Sequence, residues 1–335
     1  MDRYSRQARV PEIGAAGVER IRSARVLVVG CGALGTHLAD TMARAGVGAL
    51  DLVDRDVIEW SNLQRQVLFD ESDAANGLPK AVAAAQRLRG VNRDVEISDY
   101  VADCSPAFLD QLPHPPDLVL DGTDNFPTRY VLNDWCRKAS TPWIYGGAVA
   151  TEGAAMVVTP ESACLRCLWP EPPTHADVGT CETSGILAPA IAAVTAFQAA
   201  EALKLLVGAP PTSGVFTCDV WRGNYQVLPV ASQPSPDCAC CAGRQYPALD
   251  APAAATASLC GRDAVQVIPA TTEPLDLDAL SEQLRGATSD VERTPHLLRF
   301  EADGCRFTVF PGGRAILFGI QDPLRARALY DRWLR

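Results

Sequence analysis

Two Cys-x-x-Cys pairs constrain this chain more than any other feature. The first is Cys164-Leu-Arg-Cys167, and the second, Cys238-Ala-Cys-Cys241, follows about 70 residues later. Thiolates are soft ligands, and a tetrahedral zinc ion takes four of them. Two pairs that share one ion must meet in space, so the fold has to bring these segments together. A redox Cys-x-x-Cys is the rival reading, but a single metal accounts for both pairs at once. Cys240 adjoins Cys241, and the two-residue spacing favours Cys238 and Cys241 as the ligands. The first 25 residues are rich in arginine and hold no apolar run, so no secretory leader is expected. The 12 cysteines therefore point to reduced thiols in a cytoplasmic setting rather than a disulfide framework.

Upstream of the pairs, the apolar run 26–29 leads into Gly30-Cys-Gly32-Ala-Leu-Gly35. A strand that feeds a glycine turn at a helix N-terminus suits phosphate groups. The alternation continues with a helix at 34–45, strand 50–53, helix 80–88, strands 95–101 and 118–120, and helix 128–138. Such alternation implies an α/β fold, Rossmann-like, with a mainly parallel sheet covered on both faces. Beyond 143–145 a more antiparallel region begins, with strands at 154–158, 215–220 and 225–230. The apolar stretch 186–206 is interrupted by Gln198, Glu201 and Lys204, so it reads as a buried helix rather than a membrane span. The polar, turn-rich segment 171–185 reads as a mobile loop. Residues 1–244 form one expected domain, and 245–335 a small α+β module. That module begins with an Ala/Pro/Thr linker at 251–258, and Phe310-Pro-Gly-Gly-Arg314 is its hairpin signal. The formal charge of −10, with no Lys/Arg block, argues against general nucleic-acid binding.

Asp54 ends the second strand, where an acid can bind ribose hydroxyls. On these residues alone, an NAD-binding domain stays open. The segment 54–66 is dense in polar groups, among them Asp56, Asn62, Arg65 and Gln66. Asn62 and Arg65 suit phosphates, and Lys80 adds a point charge. A solvated polar loop is the plain alternative. Asp124, just after an apolar strand, suits Mg²⁺ on a triphosphate. Asp124 or Asn125 equally suits a helix N-cap. Cys181 stands in the polar loop outside either pair, as a catalytic thiol or a bystander.

Together these residues resemble the ThiF/MoeB/HesA family, bacterial relatives of the ubiquitin-activating enzymes. The resemblance rests on Arg3-Tyr-Ser-Arg-Gln7, Gly30 to Gly35, Ser61-Asn-Leu-Gln-Arg-Gln66, Leu78-Pro-Lys80, Thr123-Asp-Asn125 and both Cys pairs, in order over residues 3–243. The tail, with Leu259-Cys-Gly-Arg-Asp-Ala-Val-Gln266 and Phe310-Pro-Gly-Gly-Arg-Ala315, is similar to the extension of Bacillus-type ThiF proteins. The resemblance implies a zinc-stapled ubiquitin-activating-enzyme fold. It also implies ATP-dependent adenylation of the C-terminal Gly-Gly carboxylate of a ubiquitin-like sulfur carrier, of ThiS or MoaD type. A persulfide donor of the cysteine-desulfurase type would then deliver sulfur. In this reading Gly30, Gly32, Gly35, Asp54, Asp56, Asn62, Arg65, Gln66, Lys80 and Asn125 hold ATP. Asp124 binds Mg²⁺, Arg6 reaches the partner's ATP across a homodimer, and Cys181 carries a covalent link. A nucleotide-binding scaffold without catalysis is the alternative of another class.

Overall fold

The computed structural model describes residues 3–173, 184–229, 233–250, 256–259, 263–269 and 275–334. It divides into two compact units, Met1–Ala251 and Pro252–Arg335.

In the first unit, β1 (Arg25–Val29), β2 (Ala49–Val53), β3 (Glu96–Tyr100), β4 (Leu118–Asp121) and β5 (Trp143–Val149) pair in parallel. Strands β6 (Glu152–Val158), β7 (Val215–Asp219) and β8 (Asn224–Leu228) extend the sheet antiparallel. The order is β3-β2-β1-β4-β5-β6-β7-β8. Side chains on a strand alternate between faces, and here both faces are dry. Val26, Val28, Leu50, Leu52, Leu118 and Leu120 enter one core. Leu27, Val29, Val53, Val119 and Trp143 enter the other. This double burial is why the strands read as unbroken apolar runs.

Helices Ala33–Ala45, Lys80–Val91 and Ala188–Val207 cover the first face, and Phe126–Ala139 covers the second. Helix Ala188–Val207 is long and apolar enough to cross a membrane by composition. It buries Gln198 and Glu201, however, and packs on β5, β6 and helix Ala33–Ala45. It is a core helix, as its interrupting polar residues suggest. Helix Ala33–Ala45 ends at Gly46 with φ +84°, where a side chain would overlap the Tyr4 ring at 2.3 Å. Tyr4 is thereby seated, and its hydroxyl accepts from Asn92 Nδ2 at 2.8 Å.

The chain runs from β1 outward to β3, then crosses back to β4 on the other side of β1. Ligands of open α/β sheets bind at the carboxyl ends of the strands flanking such a reversal. That crevice lies between the turns that follow β1 and β4.

The second unit is an antiparallel sheet of β9 (Thr256–Leu259), β10 (Ala264–Val267), β11 (Ser289–Thr294), β12 (Leu297–Ala302), β13 (Cys305–Val309) and β14 (Ala315–Phe318). Its order is β11-β12-β13-β14-β10-β9. Phe300 and Phe307 stack at 4.5 Å in its core, with Leu280, Leu284, Ala326 and Tyr330 from two helices. Phe310 N–H donates to Arg314 O at 2.9 Å, closing the expected hairpin. Two expectations shift. The unit boundary falls at 251 rather than 244, because Ala248 N–H donates to Asp134 in the first unit at 2.9 Å. Part of the expected linker 251–258 is strand β9, held by backbone pairing to β10.

Candidate active site and metal centre

The glycine turn is built by backbone contact. A Cβ on Gly35 would lie 1.7 Å from Gly30 O, and one on Gly122 would lie 2.5 Å from the same atom. Helix Ala33–Ala45 and the turns after β1 and β4 therefore meet with no side chain between them. Gly32 differs, since a Cβ there would meet nothing closer than Gly122 O at 3.9 Å and Gln66 Nε2 at 4.0 Å. The protein leaves that space open at the N-terminus of helix Ala33–Ala45, where N–H groups suit an anion. Gln66 is buried beside it, and its Oε1 has no hydrogen-bond partner among the described residues.

Asp54 follows β2. Its carboxylate accepts from Cys31 N–H at 2.7 Å and Asp56 N–H at 2.6 Å. Burial raises its pKa, against the pull of Lys80. Lys80 is only 4% exposed, and its Nζ lies 3.3 Å from Asp56 Oδ2. Asn62 is buried, and its Oδ1 accepts from Glu59 N–H at 3.0 Å in a reciprocal cap. Arg65 Nη1 donates to Ser61 O at 2.7 Å. Asp124 is exposed in the turn after β4, and its charge acts on Arg55 and Arg129. Asn125 accepts from Thr128 N–H at 3.0 Å, so it is the residue that caps helix Phe126–Ala139, which leaves the Asp124 carboxylate out of that cap.

Arg6 is exposed and has no ion pair among the described residues, whereas its neighbours are tied down. Arg3 Nη1 donates to Val91 O and Gln7 Nε2 to Ala45 O, at 3.0 and 3.1 Å. The motif thus anchors its own segment and presents one guanidinium, that of Arg6, with no ion pair among the described residues.

Sequence reasoning missed a buried ion pair. Asp121 and Arg129 lie 3.2 Å apart, 0% and 6% exposed. The signal was an acid ending an apolar strand and an arginine one turn into the next helix. That signal is weak, because helix arginines usually face solvent.

The four cysteine sulfurs of the two pairs lie within 4.8 Å of one another. Measured edges are 3.7 Å for Cys164–Cys238, 3.6 Å for Cys167–Cys241 and 4.0 Å for Cys164–Cys167. A tetrahedron with Zn–S bonds of about 2.3 Å has edges of about 3.8 Å. The set fits zinc, and Cys241 rather than Cys240 completes it. Ser235 N–H points at Cys167 Sγ and Cys241 N–H at Cys238 Sγ, each at 3.4 Å. Donors from Cys240 and other neighbours pull the Cys164 thiol down, while burial and the charge of Cys164 push the Cys238 and Cys241 thiols up, so a bound cation is what would hold all four as thiolates. Cys181 lies outside the described residues.

The ThiF family model matches residues 4–240. The chain belongs to the ThiF family. It is 38% identical over 334 residues to the sulfur carrier protein ThiS adenylyltransferase of Bacillus subtilis, covering 99% of each chain. It is 40% identical to the SAMP-activating enzyme E1 of Haloferax volcanii over 72% of this chain and 88% of that protein. It is 37% identical to the pig adenylyltransferase and sulfurtransferase MOCS3 over 91% of this chain and 67% of that one. The fold is shared with Escherichia coli MccB solved with ATP, at TM-score 0.62 and 24% identity over 72% of this chain and 74% of that one. This ThiF-family chain is an adenylyltransferase.

Proposed function

We propose that the enzyme uses ATP to adenylate the C-terminal Gly-Gly carboxylate of a ThiS-type sulfur carrier, for thiamin thiazole synthesis. The carrying observation is the open space at Gly32, bordered by Gln66 and placed between the turns after β1 and β4. Asp54 and Lys80 border the same strand ends. Likeness to the ThiS adenylyltransferase along the whole chain, tail included, favours the ThiS-type carrier.

The reaction joins two anions. A carboxylate oxygen attacks the α-phosphorus, the bond to the bridging oxygen breaks, and pyrophosphate leaves. The resulting acyl-adenylate has a carbonyl open to sulfur. The barrier is charge repulsion, so cations fixed in advance lower it. Asp54 holds the ribose, and Lys80, Arg65, Asn62 and the turn N–H groups face the phosphates. Asp124 holds Mg²⁺, which supplies further positive charge when bound. Zinc in the four-cysteine set is structural. Arg6, with no ion pair among the described residues, completes the partner's site in a homodimer. Cys181 then either attacks the acyl-adenylate carbonyl, forming a thioester and releasing AMP, or takes the outer sulfur of a persulfide donor and leaves that donor's thiol behind.

A MoaD-type carrier is the second reading, supported by the likeness to MOCS3. ATP–pyrophosphate exchange with purified ThiS-type and MoaD-type proteins tests both. Exchange with the ThiS type alone is expected. Exchange only with the MoaD type moves the pathway, and none with either refutes the adenylation reading.

A further inference from the structure

We infer that Arg129 is a positioning residue that fixes the turn bearing Asp124, acting with Asp121 and Thr123. The inference rests on the adenylation reading above. Asp121 Oδ1 accepts from Thr123 N–H at 2.9 Å and from Thr123 Oγ1 at 2.6 Å. Its Oδ2 accepts from Arg129 Nε at 3.2 Å and Gly146 N–H at 3.4 Å. Arg129 Nη2 in turn donates to Thr123 O at 2.8 Å and Gly146 O at 2.9 Å. The guanidinium sits 5.1 Å from the ring centroids of both Phe126 and Tyr145. Gln198 Nε2 adds a bond to Asp121 O at 3.0 Å. One ion pair therefore ties together the end of β4, the turn and β5. On its far side the same turn touches the glycine turn through Gly122, backbone to backbone. The turn is held from both sides, and Asp124 stands on it.

Arg129 does not bind substrate itself, because it is buried and its Nε and Nη2 are committed to protein acceptors. Stability alone does not call for it either. Desolvating two charges costs about what their attraction returns, and apolar replacements of buried pairs are often neutral or better. What the pair supplies is a single backbone arrangement for residues 121–125. The consequence is specific: disturbing the clamp should look like a weakened Asp124, not like general loosening.

The test is a cycle of Arg129→Lys and Thr123→Val, each alone and combined with Asp124→Asn. The readouts are pyrophosphate-exchange rate, the Mg²⁺ titration midpoint, zinc content and circular dichroism. Arg129→Lys should lower kcat at least about tenfold and raise the Mg²⁺ midpoint at least about threefold, with zinc content and carrier KM kept. Thr123→Val should do the same more mildly, by about threefold in rate. In the Asp124→Asn background either change should cost no more than about twofold, because coupled residues do not add. Multiplying losses, or an unmoved Mg²⁺ midpoint, would overturn the inference. If Arg129→Lys fails to fold, Thr123→Val decides on the same readouts, and wild-type behaviour there overturns it. A wild-type enzyme inactive with every carrier refutes the adenylation reading instead. The clamp is then judged by Mg·ATP binding in the same variants, where equal Mg²⁺ dependence across them would overturn it.

Discussion

Removing the metal should lower stability by an amount that chain statistics set. The ion ties Cys164 to Cys238 across 74 residues. Treated as a cross-link, closing a loop of that length restricts the unfolded chain by about 4.5 kcal/mol. For a unit of this size each kcal/mol moves the melting temperature by about 2–4 °C, so the shift should be about 10 °C or more. Scanning calorimetry of the metal-replete protein, the chelated protein and the chelated protein with zinc restored measures it directly. Metal analysis should find about one zinc per chain. Cys167→Ser should reproduce the chelated melting temperature, and Cys240→Ser should not. A chelated protein that melts where the replete one does would refute the staple. So would four thiols alkylated equally fast with and without chelator.

Gly32→Ala should leave the melting temperature within about 2 °C yet weaken ATP binding at least about tenfold, since its Cβ would fill ligand space and not protein. Gly35→Ala should instead destabilise the fold by several kcal/mol, since its Cβ would meet a carbonyl oxygen; thermal melts and ATP titrations separate the two. Asp54→Asn should change the pH dependence of the melting temperature, because burial raises this carboxyl's pKa. A raised acid stabilises fully below its unfolded pKa of 3.8 and loses that contribution as pH rises through the folded value, so the wild type's stability relative to the variant should fall from pH 4 to pH 7, while ATP binding at pH 7 is weaker in the variant. Arg6→Ala mixed with Asp124→Ala should recover up to about a quarter of wild-type exchange activity, because half the dimers are mixed and each has one intact site. No recovery despite proven subunit exchange would place Arg6 outside the partner's site.

The parallel half of the sheet was legible because strands buried on both faces leave continuous apolar runs such as Val26-Leu-Val-Val29. The positions of Asp54 and Asp124 were legible because each follows such a run. Strand β11, Ser-Asp-Val-Glu-Arg-Thr, offered no such signal, since an edge strand needs little apolar side chain and is held by its backbone. Asp124 and Asn125 were interchangeable as caps by residue type, and only backbone geometry assigns the cap to Asn125. Arg129 was illegible for a related reason. A charged residue in a helix reads as solvated until its partner is known, and Asp121 becomes that partner only through the β4–helix turn.

The metal site and the nucleotide turn are joined by one element, which bears on what metal loss should do. Helix Phe126–Ala139 begins at the Asn125 cap and carries Arg129 in its second turn. Farther along, Asn133 Oδ1 accepts from Leu165 N–H at 2.8 Å, and Asp134 takes both Nε and Nη2 of Arg166 at 2.8 and 2.9 Å. Arg137 Nη1 donates to the carbonyls of Thr159, Pro160 and Ser162 within 3.0 Å. Tyr130 Oη meets the carbonyls of Trp169 and Glu171, where the chain leaves the first Cys pair. These bonds hold the first pair to the helix without the metal. The metal's own contribution is the direct tie between the two pairs, whose segments meet the helix at Asn133 and Asp134 and not at its Asn125 cap. Its loss should therefore lower the unfolding temperature well before it changes the Mg²⁺ dependence of adenylation. Those two effects separate a structural metal from a catalytic one.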